Sequence, residues 1–244
     1  MTAEGSPEKP VLAYLGPEGT YTHQAANDYF AESVSYISCQ TIASAFHALG
    51  SSADIAFLPI ENSTHGAVIE TLDLLRLASS ENQFIRGEAL AAINHCLVAR
   101  KGTKWENIQT VVSHEQNIQD SAANGTRFII LSAPNTSLPP STASSLLSGQ
   151  PQWCAMLRIT PPPAHSLNLG DVFGVIQPLA IARADRRPSL SPTPFQDTYF
   201  VTVRDGGTYT DLEWKAAVNA AAGRLLTKLP RGETDCSVLG IWKA

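Results

Sequence analysis

Apolar runs of strand length alternate with helical spacings along the first third of the chain. Val11 to Leu15 is an unbroken apolar run, and the turn-forming Gly16-Pro17-Glu18-Gly19 follows it. A helix is predicted from about Thr22, with Ala25, Ala26, Tyr29 and Phe30 on its apolar stripe. The order then repeats. Ile55 to Ile60 reads as a strand, Asn62, Ser63 and Thr64 offer capping side chains, and Val68, Leu72, Leu75 and Leu77 recur at helical spacing. Residues 11–80 are therefore expected to be α/β.

Further along, Ala89 to Ala99, Thr110 to Val112 and Thr126 to Leu131 read as strands, with few residues between them that can form helices. From Ser132 to Gln152 the chain turns to Ser, Pro, Thr and Gly with scattered leucines, the profile of a linker. Beyond it come a strand (Cys154 to Ile159), a helix (Leu167 to Leu179), two strands (Ile181 to Asp185, Thr198 to Val203), a helix (Leu212 to Leu229) and a strand (Ser237 to Trp242). That order is βαββαβ, the ferredoxin-like plan. The expected organisation is a domain over residues 10–132, a linker over 133–149 and a second domain over 150–244.

Composition narrows the function. With 244 residues, 43% of them hydrophobic, the chain can bury a core of one large domain or two modest ones. A net charge of -5 without a basic cluster argues against a nucleic-acid partner, whose phosphates need grouped Lys and Arg. The four cysteines are far apart and match neither a zinc spacing nor a disulfide framework. No apolar run reaches the length of a membrane span, and the first ten residues lack a signal region, so a cytoplasmic protein is expected.

Two polar clusters abut strand-like runs in a way that suits a cleft: Pro59-Ile60-Glu61-Asn62-Ser63-Thr64-His65-Gly66 and Asn124-Gly125-Thr126-Arg127-Phe128. Asn62, Ser63 and Thr64 stand where a strand ends and a helix is predicted, so their side chains and free N–H groups can bind a carboxylate; capping alone also explains them. Gly16 to Thr22 offers a second entrance of this kind. Arg127 can bind a carboxylate or brace the site through an internal ion pair. Taken alone, Thr126 is a β-branched residue starting a strand.

These clusters, with Tyr14-Leu15-Gly16-Pro17-Glu18-Gly19-Thr20-Tyr21-Thr22, resemble the signature segments of prephenate dehydratase. Ser113-His114-Glu115-Gln116 resembles a further segment, with Glu115 in place of proline. The resemblance implies a two-lobed, periplasmic-binding-protein-like catalytic domain followed by a ferredoxin-like ACT domain. It implies the cofactor-free conversion of prephenate to phenylpyruvate on the route to L-phenylalanine. Thr126 would be the donor to the departing hydroxyl, and Thr20, Asn62, Ser63, Thr64, Ser113, Gln116 and Arg127 would position substrate, with no metal. Glu61 would organise the site by accepting hydrogen bonds. His114 is read as an ordinary histidine at a strand-to-helix junction and His95 as a half-buried strand residue.

In the second domain, Asp185-Arg186-Arg187-Pro188 resembles the region through which ACT domains hold phenylalanine, with Asp185, Arg187 and Pro188 carried over; the accompanying Gly-Ala-Leu motif is not matched. Association into homo-oligomers through this domain's sheet is expected.

The chain departs from the family pattern between Gln116 and Asn124, where most of the second catalytic lobe is missing. Strands near residues 89–112 would then lose the helices that cover them. Exposing a few hundred Å2 of apolar sheet costs on the order of several kcal/mol. A misjoined reading frame, a truncation compensated by association, and a truncation that has cost activity all fit the gap. A phenylalanine-binding protein without catalysis, or an enzyme that decarboxylates prephenate without aromatising it, is the alternative.

Overall fold

The computed structural model describes residues 9–78, 83–94, 96–112, 124–142, 152–162, 168–192, 194, 196–229 and 234–244. The elements run β1 (Val11–Leu15), α1 (Tyr21–Phe30), β2 (Ser35–Cys39), α2 (Ile42–His47), β3 (Ile55–Asn62), β4 (Gly66–Ala67), α3 (Ile69–Leu75), β5 (Phe84–Ile93) and β6 (Asn124–Ser132). Then come β7 (Trp153–Thr160), α4 (Leu169–Ile176), β8 (Ala180–Pro188), β9 (Asp197–Arg204), α5 (Asp211–Lys228) and β10 (Asp235–Lys243). The last six follow the expected βαββαβ order.

One mixed sheet carries all ten strands, in the order β2-β1-β3-β6-β5-β10-β7-β9-β8, with the short β4 hairpinned onto β3. Strands β2, β1 and β3 are parallel; β6 and β5 then join in antiparallel sense. The βαββαβ segment pairs antiparallel throughout and meets the first half where Gly240 of β10 lies parallel to Ile85 of β5. A side chain at residue 240 would collide there: a Cβ would sit 2.4 Å from the Ile85 Cβ and 2.5 Å from its carbonyl oxygen. The close approach at this joint requires glycine.

Alternation along the strands sorts side chains into three cores. Leu12, Tyr14, Phe57, Phe128 and Ile130 pack under α1 with Ala26 and Phe30. On the other face, Leu58, Ile129 and Leu131 meet α2 and α3 and, from the second half, Cys154, Met156, Phe200 and Trp242. The second half has its own core, in which α4 and α5 bury Val172, Trp214 and Val218 against β7 and β9. The face of the βαββαβ sheet that carries no helices thus covers α3 and the first half's strands. Arg158 of β7 reinforces that contact by donating to the carbonyls of Leu75, Arg76 and Ala78 at 3.3, 3.0 and 2.8 Å, satisfying the end of α3.

Several expectations need correction. The chain after Asn62 does not enter a helix. Asn62 Oδ1 accepts from the backbone N–H of Thr64 and His65, both at 3.0 Å, and Gly66 at φ +77° leads into β4. Helix α3 begins only at Ile69, with Val68 as its N-cap. The strand read over Ala89 to Ala99 is displaced to Phe84–Ile93, because its partner β6 begins at Asn124 and Ile93 pairs with that residue. Thr110 to Val112 forms no strand; it has no pairing neighbour among the described residues, and Val112 is 94% exposed. The helix read over Leu167 to Leu179 is Leu169–Ile176, capped by the Asn168 side chain. Strand β2 and helix α2 add to the elements read from periodicity. Of the expected linker, Thr142 is tied back to the Tyr29 carbonyl at 2.8 Å, and residues 143–149 lie outside the described residues.

Candidate active site

Strands β1 and β3 run parallel and β6 runs against β3, so the carboxyl ends of β1 and β3 and the start of β6 lie at one end of the sheet. Open α/β sheets bind ligands at such ends. Both polar clusters singled out in the sequence arrive there, brought side by side by the register Glu61↔Arg127 and Asn62↔Thr126.

The contact between them is specific. Asn62 Nδ2 donates to Thr126 Oγ1 at 3.1 Å. The amide cannot be flipped without loss, since its oxygen already accepts two backbone N–H groups. Thr126 therefore accepts from Asn62, and its own proton is directed to another acceptor. Ser63 closes the neighbouring rung: its N–H donates to the Gly125 carbonyl at 2.8 Å, its hydroxyl donates to Asn124 Oδ1 at 3.1 Å, and it accepts from Gly125 N–H at 2.9 Å. Asn124, buried and polar, is a site residue that sequence reading left without a role. A cavity of about 420 Å3 opens beside this rung, bordered by Glu61, Ser63, Asn124 and Arg127.

Thr20 caps α1 at the same end. It accepts from His23 N–H and donates to the Leu15 carbonyl, both at 3.3 Å, so its hydroxyl is committed to the fold. The next residue, Tyr21, donates to the Asn94 carbonyl at 3.1 Å and ties α1 to the end of β5. Thr64 contributes its N–H to the Asn62 turn and is exposed. Ser113, Gln116, His114 and His95 lie outside the described residues.

Arg127 faces away from Thr126, as consecutive strand residues must. It pairs with Glu88 at 3.0 Å and with Glu61 at 3.3 Å, the bracing arrangement of the two weighed from sequence. Each acid also holds an arginine from the second half: Glu88 takes Arg204 at 3.0 Å and Glu61 takes Arg183. Arg183 is in turn held by Asp185, which is the main reason its pKa is raised. These groups surround a second cavity of about 300 Å3, into whose wall Trp242 brings a buried indole N–H with no partner among the described residues.

The other residues read as ligand contacts in β8 also face the first half. Arg187 clasps Asp73 of α3 at 2.6 and 3.0 Å, and the Pro188 carbonyl accepts from Arg76. The hydrogen bond from Arg187 holds the Asp73 carboxyl below its usual range. Among the described residues, no group of three or more His, Cys, Asp or Glu is arranged to hold a metal ion. No described helix is long and apolar enough to cross a membrane.

Comparison with known proteins bears on this site. Residues 12–117 match the family model "Prephenate dehydratase". The bifunctional chorismate mutase/prephenate dehydratase of Neisseria gonorrhoeae is 39% identical over 111 residues, which are 45% of this chain and 30% of that protein's length. The chain thus spans under a third of the curated relative it matches. Among solved structures, prephenate dehydratase from Arthrobacter aurescens in complex with L-Phe superposes with a TM-score of 0.68 at 20% identity, covering 96% of this chain and 90% of the other. Prephenate dehydratase from Streptococcus mutans gives 0.63 at 20% identity, covering 96% and 98%. The matched segment includes Asn62 and ends before Thr126. Residues 12–117 thus resemble the prephenate dehydratase family, and the chain as a whole has the mixed α/β fold of the solved prephenate dehydratases.

Proposed function

We propose that the protein is a prephenate dehydratase whose reacting centre is the Asn62–Thr126 pair. The observation that carries this reading is the hydrogen bond from Asn62 to Thr126 at the carboxyl ends of β1 and β3. It joins a residue inside the family match to one beyond it.

Prephenate carries two carboxylates and a ring hydroxyl. Its ring carboxylate leaves as carbon dioxide, and the electrons of the broken C–C bond flow into the ring. They expel the hydroxyl at the opposite ring carbon as water. One proton is consumed, and the ring becomes aromatic, which supplies much of the driving force. The catalyst must orient the ring and donate to the departing oxygen. Thr126 takes the donor role: Asn62 occupies a lone pair of its oxygen, leaving the O–H for the substrate, and donation to the Thr126 oxygen polarises that O–H bond. Solvent then restores the proton. Thr20, Ser63 and Thr64 act mainly by shaping this end of the sheet; backbone N–H groups and Ser113 and Gln116 are the proposed carboxylate contacts. Arg127 keeps β6 in place.

The βαββαβ half is read as an ACT-like domain, with L-phenylalanine as a proposed effector and homo-oligomers as the proposed assembly. The support is the element order, the sheet order β10-β7-β9-β8 and the L-Phe complex of the structural neighbour. The cytoplasm is the proposed location, in keeping with a biosynthetic role. Turnover of prephenate to phenylpyruvate by the purified chain, read from the absorbance of the product, tests the reading. A folded protein that binds phenylalanine but turns over no prephenate would favour a regulatory binding protein.

A further inference from the structure

An unbroken ladder of alternating charge crosses the molecule: Arg204, Glu88, Arg127, Glu61, Arg183, Asp185. Its links are 3.0 Å from Arg204 to Glu88, 3.0 Å from Glu88 to Arg127 and 3.3 Å from Arg127 to Glu61; the contact of Arg183 with Glu61 and a 2.9 Å bond from Arg183 to Asp185 complete it. Glu88, Arg127 and Glu61 belong to β5, β6 and β3 of the first half, and the ladder is anchored by Arg204 of β9 at one end and by Arg183 and Asp185 of β8 at the other.

Glu88 is the pivot. Its side chain is 5% exposed, the most enclosed in the ladder, and both its partners are guanidiniums. An enclosed carboxylate depends on such partners, so removing one throws its whole demand onto the other. Arg204 reaches both Glu88 oxygens, at 3.0 and 3.2 Å. Without it, Glu88 must draw Arg127 more strongly, away from Glu61. The cavity of about 300 Å3 beside these groups leaves room for that movement. Glu61 follows the irregularity at Pro59/Glu61 in β3 and directly precedes Asn62. A displaced Arg127–Glu61 rung therefore displaces the Asn62–Thr126 rung beside it.

We infer that Arg204 and Glu88 are positioning residues for the candidate site, through which the βαββαβ half sets the geometry of the Asn62–Thr126 pair. The catalytic part of this inference rests on the prephenate dehydratase reading; the ladder itself does not. Neither residue touches the Thr126 hydroxyl, and their effect passes through Arg127 and Glu61.

The test uses the full chain and two independent readouts. Arg204→Met removes the charge but keeps an apolar stem, and Arg204→Lys restores it. The Arg127 Nε–H resonance in 15N NMR, assigned with Arg127→Lys, should be sharp and slow to exchange in the wild type. It should shift or broaden in Arg204→Met and recover in Arg204→Lys. In parallel, kcat/KM for prephenate should fall about tenfold in Arg204→Met, within the range by which coupled distant residues modulate a site, and recover most of the loss in Arg204→Lys. Glu88→Gln carries the same expectation if Arg204→Met fails to fold. An unchanged Arg127 resonance in a folded charge-removed variant would overturn the ladder. A responsive resonance with unaltered kcat and KM would overturn the positioning role. A wild type that turns over no prephenate, with the resonance change still seen in Arg204→Met, would refute the dehydratase reading and leave the ladder standing.

Discussion

Asn62 and Thr126 are 64 positions apart in sequence and 3.1 Å apart at the end of the sheet, the amide N–H of one donating to the hydroxyl of the other. The direction of that bond is set by the backbone, because Thr64 and His65 both donate to the Asn62 oxygen. Asn62→Asp preserves those two acceptor contacts but turns the bond around: a carboxylate can only accept, so the Thr126 proton would point at Asp and away from substrate. We expect melting temperature to stay close to wild type while kcat for prephenate falls at least about tenfold, judged against the known cost of losing a transition-state donor. Parallel melting and turnover assays would check this.

The third residue of the Thr126-Arg127-Phe128 string has a structural role. Phe128 is 1% exposed and stacks on Phe57, with centroids 5.0 Å apart and planes inclined by 24°. Phe128→Ala should cost about 3–5 kcal/mol of stability by leaving a cavity under α1. Urea denaturation would measure it, and a cost below about 1 kcal/mol would show that the α1 core is loosely packed.

The sequence made the parts of this site legible and left their connections hidden. Apolar runs marked β1, β3 and β6, and polar clusters at their ends marked Asn62 and Thr126, because strand length and turn chemistry are local properties. For Arg127 the sequence left carboxylate binding and internal bracing both open, and only the partners Glu61 and Glu88 showed what it does there. Glu88, Arg183 and Arg204 carried no signal, since each is a lone charge in a strand whose partner lies in another part of the chain. The polar run after β3 was misread as a helix entrance because Ser, Thr and Asn favour caps and turns alike; the two N–H groups accepted by Asn62 decided for the turn. The strand read to Ala99 stops at Ile93 because a strand extends only as far as a neighbour can pair with it.

Acidification should weaken the clasp between the two halves. The Arg187 hydrogen bond holds the folded-state pKa of Asp73 below its ordinary 3.8, so Asp73 releases its proton more readily in the folded protein than in the unfolded chain. Its contribution is then fully present above about pH 4 and is lost as pH falls through the lower, folded-state value. The melting-temperature difference between wild type and Asp73→Asn should be constant from pH 7 to pH 5 and shrink below pH 4. A difference that grows on acidification would contradict this.

Cysteine reactivity should follow burial. Cys154 is fully buried and its thiol is pushed up to about 12, chiefly by desolvation and then by the Glu88 charge, whereas Cys96 is exposed. Alkylation of the native protein at pH 8 should modify Cys96 readily and leave Cys154 untouched until the protein is unfolded. Peptide mass spectrometry after a timed iodoacetamide exposure would show which thiols react.

Phenylpyruvate formation from prephenate by the purified 244-residue protein, with Thr126→Ala assayed beside it, tests the central claim most directly. Turnover by the wild type, with a loss of at least about 100-fold in a folded Thr126→Ala variant, is the predicted result. Wild-type protein that is folded and forms no phenylpyruvate, or a Thr126→Ala variant as active as the wild type, would contradict the assignment of the Asn62–Thr126 pair as the reacting centre.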